Sequence, residues 1–197
     1  MTGKRIYVLN GHPGETSLSK LFSQSYAEAA TQAGHEVRIT HLCDLEFDSD
    51  FGGGGYRNLK PLELDLKGVL DNLEWCSHVV LLTPMWWGGL PAKLKGLFDR
   101  VLLPGTAFNP REKTWMGMPR PLLKGRTGRL IMTSDTPNWF LRLVYKNAVV
   151  RQLRGQIFGF TGITPLHVTH FYDASEPLPK QVEEWSKKVA NLGSNAR

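Results

Sequence analysis

The amino-acid sequence predicts an α/β fold: a five-stranded parallel sheet, doubly wound by helices, with the strand order 2-1-3-4-5. Strand-like and helical stretches alternate five times along the chain, which calls for a parallel sheet with helices on both faces. Polar or aromatic loops follow the first, third and fourth strands, and in this order those loops are neighbours around the switch point of the sheet. The 197 residues fit one domain, which we expect to span residues 1–197.

The predicted strands are short and mainly apolar. Residues 79–82 form the unbroken run VVLL, which is typical of a strand buried on both faces. The second strand, EVRITHL, alternates between polar and apolar residues. The five strands are predicted at residues 5–10, 36–42, 79–82, 129–134 and 165–170.

Amphipathic stretches follow the strands and predict the helices, because apolar residues recur in them at helical spacing. Gly34 stands where a C′ glycine would end the first helix, and Pro91 stands where a helix can begin without losing a hydrogen bond. The helices are predicted at residues 18–33, 61–75, 91–102, 139–158 and 182–192.

The loop after the first strand has the composition of an anion site. Free backbone N–H groups at the start of the following helix, with the helix dipole, favour negative charge there. Ser17 and Ser19 add hydroxyl donors and His12 adds a ring donor, which suits a phosphate. Alternatively, Thr16 or Ser17 is only an N-cap. The loop is neither a Walker motif nor a GxGxxG motif.

The loop after the third strand presents two consecutive tryptophans, Trp86 and Trp87, between Pro84 and the pair Gly88-Gly89. Aromatic residues at the carboxyl end of a strand in an α/β sheet can form a wall for a flat ligand. The alternative is that both rings belong to a packed hydrophobic corner.

Two long connections between predicted elements have sequences that indicate a function less clearly. Residues 44–59 are acidic, then glycine-rich, and predict a mobile surface loop, either a lid, a dimer contact or a plain connection. Residues 105–128 contain several prolines and glycines without a helical period, and loops of this length in a compact domain are often functional.

Composition limits the possible functions. The net charge of +6 is concentrated in residues 111–154, which hold ten Lys and Arg residues against Glu112 and Asp135. This stretch either attracts an anionic nucleotide cofactor or is a solvated basic face. No nucleic-acid-binding motif accompanies it, so we expect no nucleic-acid partner.

We expect a cytoplasmic protein without an integral membrane segment. No apolar run reaches the roughly 20 residues needed to cross a bilayer, and the first residues lead directly into a strand rather than a signal peptide. Cys43 and Cys76 are isolated thiols, which suit a reducing compartment. The histidines lack metal-ligand spacing and no GxSxG motif is present, so neither a metal site nor a serine hydrolase is predicted.

Four segments together resemble the flavodoxin-like NAD(P)H:quinone oxidoreductases. They are NGHP with SLS in residues 10–19, PMWWGGLPAKLKGLFDRV in residues 84–101, GTAF in residues 105–108 and FTGI in residues 160–163. The resemblance covers most of the chain, and the second segment is the most specific. It implies a fold of the flavodoxin type, a homodimer with active sites at the subunit interface, and a non-covalent flavin, either FMN or FAD.

The resemblance also implies roles for individual residues. His12, Ser17, Leu18 and Ser19 match positions that hold the flavin phosphate. Positions that lie along the flavin ring in the family are matched by Pro84, Met85, Trp86, Trp87 and Gly88. The loop that lies at the other end of the ring is matched by Thr133, Ser134, Asp135 and Thr136. NAD(P)H would donate a hydride through the flavin to a quinone or similar acceptor, and Trp87 and Phe108 would border these substrates.

One departure from the family affects catalysis. Where the family commonly has Thr-Thr-Gly-Gly, this chain has Thr-Ser-Asp-Thr, and Phe140 stands near the place of a tyrosine that assists hydride transfer in the best-known members. Asp135 is therefore the one candidate catalytic side chain, and it either orients a donor or caps the next helix. A flavin electron carrier and a non-catalytic regulatory or binding subunit remain alternatives, although carriers of this fold are usually acidic.

Overall fold

The computed structural model describes residues 3–52, 55 and 58–196, and its centre is a five-stranded parallel sheet in the order β2-β1-β3-β6-β7. This is the predicted order, because β4 and β5 pair in a separate antiparallel hairpin and are not part of the central sheet. The strands are β1 (Arg5–Asn10), β2 (Glu36–His41), β3 (His78–Pro84), β4 (Phe108–Lys113), β5 (Pro119–Pro121), β6 (Thr127–Ser134) and β7 (Leu166–Tyr172).

Helices cover both faces of the sheet, as predicted. They are α1 (Leu18–Gln32), α2 (Leu64–Trp75), α3 (Ala92–Val101), α4 (Asn138–Leu143), α5 (Ala148–Arg151) and α6 (Pro179–Ser194). The chain also contains a 3₁₀ turn at Leu42–Asp44 and a π-helical segment at Gln152–Gly159. No helix there is long and apolar enough to cross a membrane.

The two cores follow from the alternation of side chains along each strand. Tyr7 and Leu9 of β1 belong to the cluster that includes Leu66 of α2 and Leu94 of α3. The intervening residues of β1 pack with α1 and α6, in a second cluster that joins Ile6, Val8, Phe22, Tyr26 and Val189. The central strand β3 is buried along its whole length.

The predicted helix at residues 139–158 is not continuous. It is broken at Lys146 and Asn147, which both have φ of 50°, the left-handed conformation that no continuing α-helix can hold. The chain then resumes as α5 and widens into the π-helical segment. The apolar spacing continues across the break, so periodicity alone could not reveal it.

The connection from β2 to α2 is tied down by one buried residue of α3. The guanidinium of Arg100, 2% exposed, donates to Glu63 at 2.9 Å, to the carbonyl of Pro61 at 2.9 Å and to the carbonyl of Asp48. In the same region a Cβ on Gly96 would come within 2.6 Å of Ser49. The glycine-rich tip predicted to be mobile lies partly outside the described residues, and α2 begins at Leu64 rather than at residue 61.

Candidate functional site

The loops after β1, β3 and β6 meet in one cleft of about 280 Å³ at the carboxyl edge of the sheet. Parallel pairing brings them together, since Asn10 is paired with Leu82 and Pro84 with Thr133. The loop after β7 also contributes, through Ala174 and Ser175, which the sequence reasoning did not identify. The cleft is lined by His12, Thr16, Ser17, Leu18, Ser19, Pro84, Met85, Trp86, Thr133, Ser134, Asp135, Ala174 and Ser175.

One end of the cleft is the start of α1. Ser17 is the N-cap, and its Oγ accepts a hydrogen bond from the N–H of Lys20 at 3.1 Å. The N–H groups of Leu18 and Ser19 precede the first intrahelical bond and have no acceptor within the helix. The first turn contains no acidic residue. Ser17 is thus an N-cap, which was one of the two roles predicted for it. The free N–H groups at the helix start can still bind an anion.

His12 is held in one orientation beside this helix start. Its backbone N–H donates to Oδ1 of Asn10 at 3.1 Å, and its ring Nδ1 lies 2.9 Å from the N–H of Gly14. Nδ1 also lies 3.3 Å from the carbonyl oxygen of Gly14, but the shorter contact is with the N–H, which can only donate, so we assign Nδ1 as the acceptor and place a ring proton on Nε2. The ring also stands edge-on to Trp86, with 5.6 Å between centroids. His12 therefore presents a donor to the cleft.

The two tryptophans form a tight hairpin turn. The N–H of Trp86 donates to the carbonyl of Gly89 at 3.0 Å, and the N–H of Gly89 donates back at 2.8 Å. Trp87 and Gly88 between them have φ of 51° and 71°, the pattern of a type I′ turn. The side chain of Trp87 is fully exposed, which excludes a packed hydrophobic corner for this residue. A fully exposed tryptophan in a left-handed conformation is an outlier that points to function.

Replacing Trp87 by glycine is therefore expected to keep or raise stability while weakening ligand binding. Glycine takes positive φ without strain, so the free energy of unfolding should rise by roughly 0.5–1 kcal/mol. Urea unfolding of the variant beside Trp87→Asn, which also tolerates positive φ, measures this effect. A loss of more than about 1 kcal/mol in both variants would show that the exposed ring stabilises the fold.

A second cavity of about 530 Å³ adjoins the first, since Met85 and Asp135 line both. Three predicted site residues, Trp87, Gly88 and Thr136, lie in this second cavity. It also takes in residues from the α4 and α5 region and from β7 that the sequence reasoning did not place there: Leu141, Tyr145, Asn147, Ala148, Val149, Val150 and His170.

Asp135 joins the loops after β6 and β7. Its carboxylate accepts hydrogen bonds from the N–H of Ser175 at 2.7 Å and from the hydroxyl of Ser175. It does not cap α4, whose N-cap is Pro137 without a side-chain hydrogen bond, so that alternative was wrong. The carboxylate shapes the cleft by fixing the position of Ser175.

Residues 4–192 match the model of the family described as having a flavodoxin-like fold. The chain belongs to the flavodoxin-like fold family.

Several oxidoreductases are similar to this chain over different shares of its length. NAD(P)H dehydrogenase (quinone) 1 of Rattus norvegicus is 23% identical over 98% of this chain and 78% of its own length. The FMN-dependent NADH:quinone oxidoreductase of Alcanivorax borkumensis is 32% identical over 49% of this chain and 44% of its own length. The solved NAD(P)H:quinone oxidoreductase of Methanothermobacter marburgensis has a TM-score of 0.79 at 20% identity, covering 100% of this chain and 97% of that one. The chain spans about half the length of several other curated relatives that it matches.

The sequence reasoning treated His170 as structural, but this residue of the flavodoxin-like fold lines the second cavity. Its Nε2 lies 2.8 Å from the hydroxyl of Ser134, and its ring lies 4.3 Å from that of Tyr172. Burial lowers its pKa from 6.5 to about 4, because the charged imidazolium loses its hydration. His170 is therefore neutral at physiological pH.

The depressed pKa of His170 predicts a loss of stability in mild acid. Between pH 6.5 and 4 the unfolded chain binds a proton that the folded chain does not, so the free energy of unfolding falls as pH falls. The contribution is about 2 kcal/mol between pH 7 and 5. Urea unfolding at both pH values should show that His170→Gln, which can still bond to Ser134, loses about 2 kcal/mol less than the parent chain. Equal losses would contradict the assignment.

Phe108 is placed apart from both cavities. It lines a third cavity, of about 530 Å³, between α3 and the π-helical segment, and its ring lies 5.0 Å from that of Phe160. Within one flavodoxin-like subunit, therefore, the structure does not bring Phe108 to Trp87.

The described residues contain no group of three or more His, Cys, Asp or Glu side chains suited to a metal ion.

Proposed function

We propose that this chain is a flavin-dependent NAD(P)H oxidoreductase that reduces a quinone or a similar acceptor by two electrons. The observation that carries the proposal is the cleft itself: an anion-binding helix start, an aromatic turn and a polar loop line one crevice at the switch point of the sheet. Relatives named as quinone oxidoreductases support the same reaction.

The residues of the cleft fit a phosphate-bearing flavin. The N–H groups of Leu18 and Ser19, the hydroxyls of Ser17 and Ser19 and the Nε2 proton of His12 are donors for phosphate oxygens, with no carboxylate in the first turn of α1 to oppose them. The bound flavin would supply hydride transfer between the two substrates. We propose FMN rather than FAD, because one similar relative is named FMN-dependent.

The protein would contribute position and electrostatics. Trp86 and Met85 would border the flavin ring, and Thr133 and Ser134 would lie at its other end. The N–H groups of Trp87 and Gly88 take no part in the two hydrogen bonds of the turn, so they can donate to the polar edge of the ring. The second cavity, where Trp87, Gly88 and Thr136 lie, would receive the nicotinamide and then the acceptor.

A homodimer would give Phe108 a substrate role. In its own subunit Phe108 lies in the third cavity, so it can border a substrate only in the site of a second copy. We propose such a dimer on the resemblance to the quinone oxidoreductases. Sedimentation of the parent chain and of Phe108→Ala, together with the KM for the acceptor, tests the idea. A monomeric enzyme with full activity would contradict it.

We also propose a cytoplasmic location, since Cys43 and Cys76 are both free thiols.

The decisive experiment is to purify the chain, release any bound cofactor by denaturation and identify it. We expect a yellow protein with FMN that oxidises NADH or NADPH when a soluble quinone is added. Comparing the two nucleotides settles the electron donor, and turnover without a partner protein excludes an electron carrier. A colourless chain that takes up no added FMN or FAD would contradict the proposed function.

A further inference from the structure

His170 lies at the boundary between the first two cavities of the site. Its ring lines the second cavity, and its Nε2 lies 2.8 Å from the hydroxyl of Ser134, which lines the first cleft. The ring of Tyr172 packs beside it, with 4.3 Å between the centroids. Because two contacts already fix the ring of His170, binding a ligand restricts it little further.

The hydrogen bond to Ser134 assigns the tautomer of this ring. Ser134 is 6% exposed, and its hydroxyl has no other hydrogen-bond partner among the described residues. A buried O–H that lacks an acceptor is costly, so the hydroxyl donates and Nε2 accepts. Burial lowers the pKa of His170 and keeps the ring neutral, so its one proton is on Nδ1.

The Nδ1–H group of His170 is available to a ligand. In the described part of the chain Nδ1 has no hydrogen-bond partner, and unlike Nε2 of His78, which also lacks one, it is not buried. Asp135 lines the same cavity, but its carboxylate accepts hydrogen bonds and cannot stabilise negative charge on a ligand. The remaining polar side chains of the cavity are not held by side-chain hydrogen bonds to other described residues: Thr136, Tyr145 and Asn147. His170 therefore offers the cavity a donor of fixed direction.

We infer that the Nδ1–H of His170 donates a hydrogen bond to the carbonyl oxygen of the acceptor in the second cavity, and that Ser134 positions the ring. This role rests on the proposed function. In the overall reaction a quinone gains two electrons and one hydrogen from NAD(P)H, which becomes NAD(P)⁺, and one further proton from solvent. Negative charge develops on the quinone oxygen before that proton arrives, and a fixed donor stabilises it.

Two substitutions separate the donor role from a structural role. The amide of asparagine lies as far from Cβ as Nδ1 of histidine does, whereas glutamine carries its amide as far out as Nε2. His170→Asn therefore keeps a donor toward the acceptor and loses the contact with Ser134, and His170→Gln does the reverse. With a water-soluble quinone, His170→Gln should lower kcat/KM about 10- to 100-fold, the value of a hydrogen bond to a charged group. His170→Asn should recover most of that loss.

Ferricyanide and a second histidine serve as controls. Ferricyanide takes electrons without a proton, so its turnover should be unchanged in both variants. His167→Gln, which replaces an exposed histidine on the same strand, should keep quinone turnover within about twofold. The inference is overturned if His170→Gln reduces quinone as fast as the parent chain, or if His170→Asn loses as much as His170→Gln.

A second measurement needs neither flavin nor turnover. Long-range proton–nitrogen NMR spectra of the labelled apoprotein, with His170→Gln to identify the signals, show which ring nitrogen carries the proton. We expect it on Nδ1 at neutral pH. A proton on Nε2 would overturn the inference, since Nδ1 could then only accept.

Failure of the proposed function is seen separately, in the parent chain. A parent chain that takes up no flavin or reduces no quinone contradicts the proposed function and removes the role of His170 with it. An active parent chain with an equally active His170→Gln variant contradicts the role of His170 alone.

Discussion

Replacing Ser17 by aspartate should lower the affinity for FMN about 100-fold or more, because two like charges a few ångströms apart near a protein surface repel by several kcal/mol. The substitution is designed to leave the fold intact. Ser17 is the N-cap of α1 and accepts from the N–H of Lys20, and aspartate is as good a cap as serine. The new carboxylate, however, occupies the place where we propose the phosphate binds. Titration of the apoprotein with FMN, followed by flavin fluorescence, measures the change.

Two comparisons separate phosphate repulsion from general damage. Riboflavin lacks the phosphate, so its weaker affinity should be nearly the same in Ser17→Asp and in the parent chain. Ser17→Asn, a neutral cap of the same size, should keep most of the FMN affinity. If the FMN affinity of Ser17→Asp is unchanged, the phosphate does not lie at the start of α1, and that assignment of the cleft is wrong.

The strand order and the meeting of three loops could be predicted because both depend on strong, simple signals. The apolar run of β3 leaves little doubt about a central buried strand, and alternating strands and helices allow few topologies. Once the order is known, the carboxyl ends of β1, β3 and β6 must be neighbours. His12, Trp86 and Ser134 therefore share a cleft although they are far apart in the sequence.

The fourth loop of the cleft could have been found by the same reasoning. β7 is parallel to β6, so the residues after it, Ala174 and Ser175, end at the same edge. Their role depends on a contact between Asp135 and Ser175, 40 residues apart, which follows from the register of two strands. Register cannot be read from a run of apolar residues, because a shift of the pairing leaves the sequence pattern unchanged.

The break after α4 and the position of Phe108 illustrate a different limit. Apolar residues continue at helical spacing across Lys146 and Asn147, and only the tolerance of asparagine for positive φ hints at the left-handed turn. Phe108 begins a hairpin strand that packs toward the π-helical segment, and neither element has a distinctive sequence signal. Both features are set by tertiary packing rather than by local preference.

Replacing Arg100 by leucine should lower the free energy of unfolding by about 2–3 kcal/mol, because it leaves two backbone carbonyls and the half-buried carboxylate of Glu63 without the donor that they share. The guanidinium is 2% exposed and bridges Glu63 to the carbonyls of Asp48 and Pro61. Leucine fills part of the volume but donates no hydrogen bond, so the two carbonyls and Oε2 of Glu63 lose the donor that Arg100 supplies, while Oε1 of Glu63 still accepts from the N–H of Asp48. Urea unfolding measures the loss.

Two roles for Arg100 can be distinguished by whether its replacement lowers the stability of the whole fold or only that of the connection from β2 to α2. If the connection from β2 to α2 is part of the cooperative fold, Arg100→Leu lowers the urea midpoint. Lysine cannot make the bidentate contact to Glu63, so the midpoint of Arg100→Lys should lie between those of the parent chain and of Arg100→Leu. If Arg100 only fastens that connection, the midpoint stays near that of the parent chain while proteolysis within residues 46–62 becomes faster. The cooperative result is expected, since Arg100 lies on α3 beside Leu97 and Val101 of the main core and Gly96 meets Ser49 in close contact. An unchanged midpoint with no added proteolysis would show that the contacts of Arg100 stabilise neither the cooperative fold nor the connection from β2 to α2.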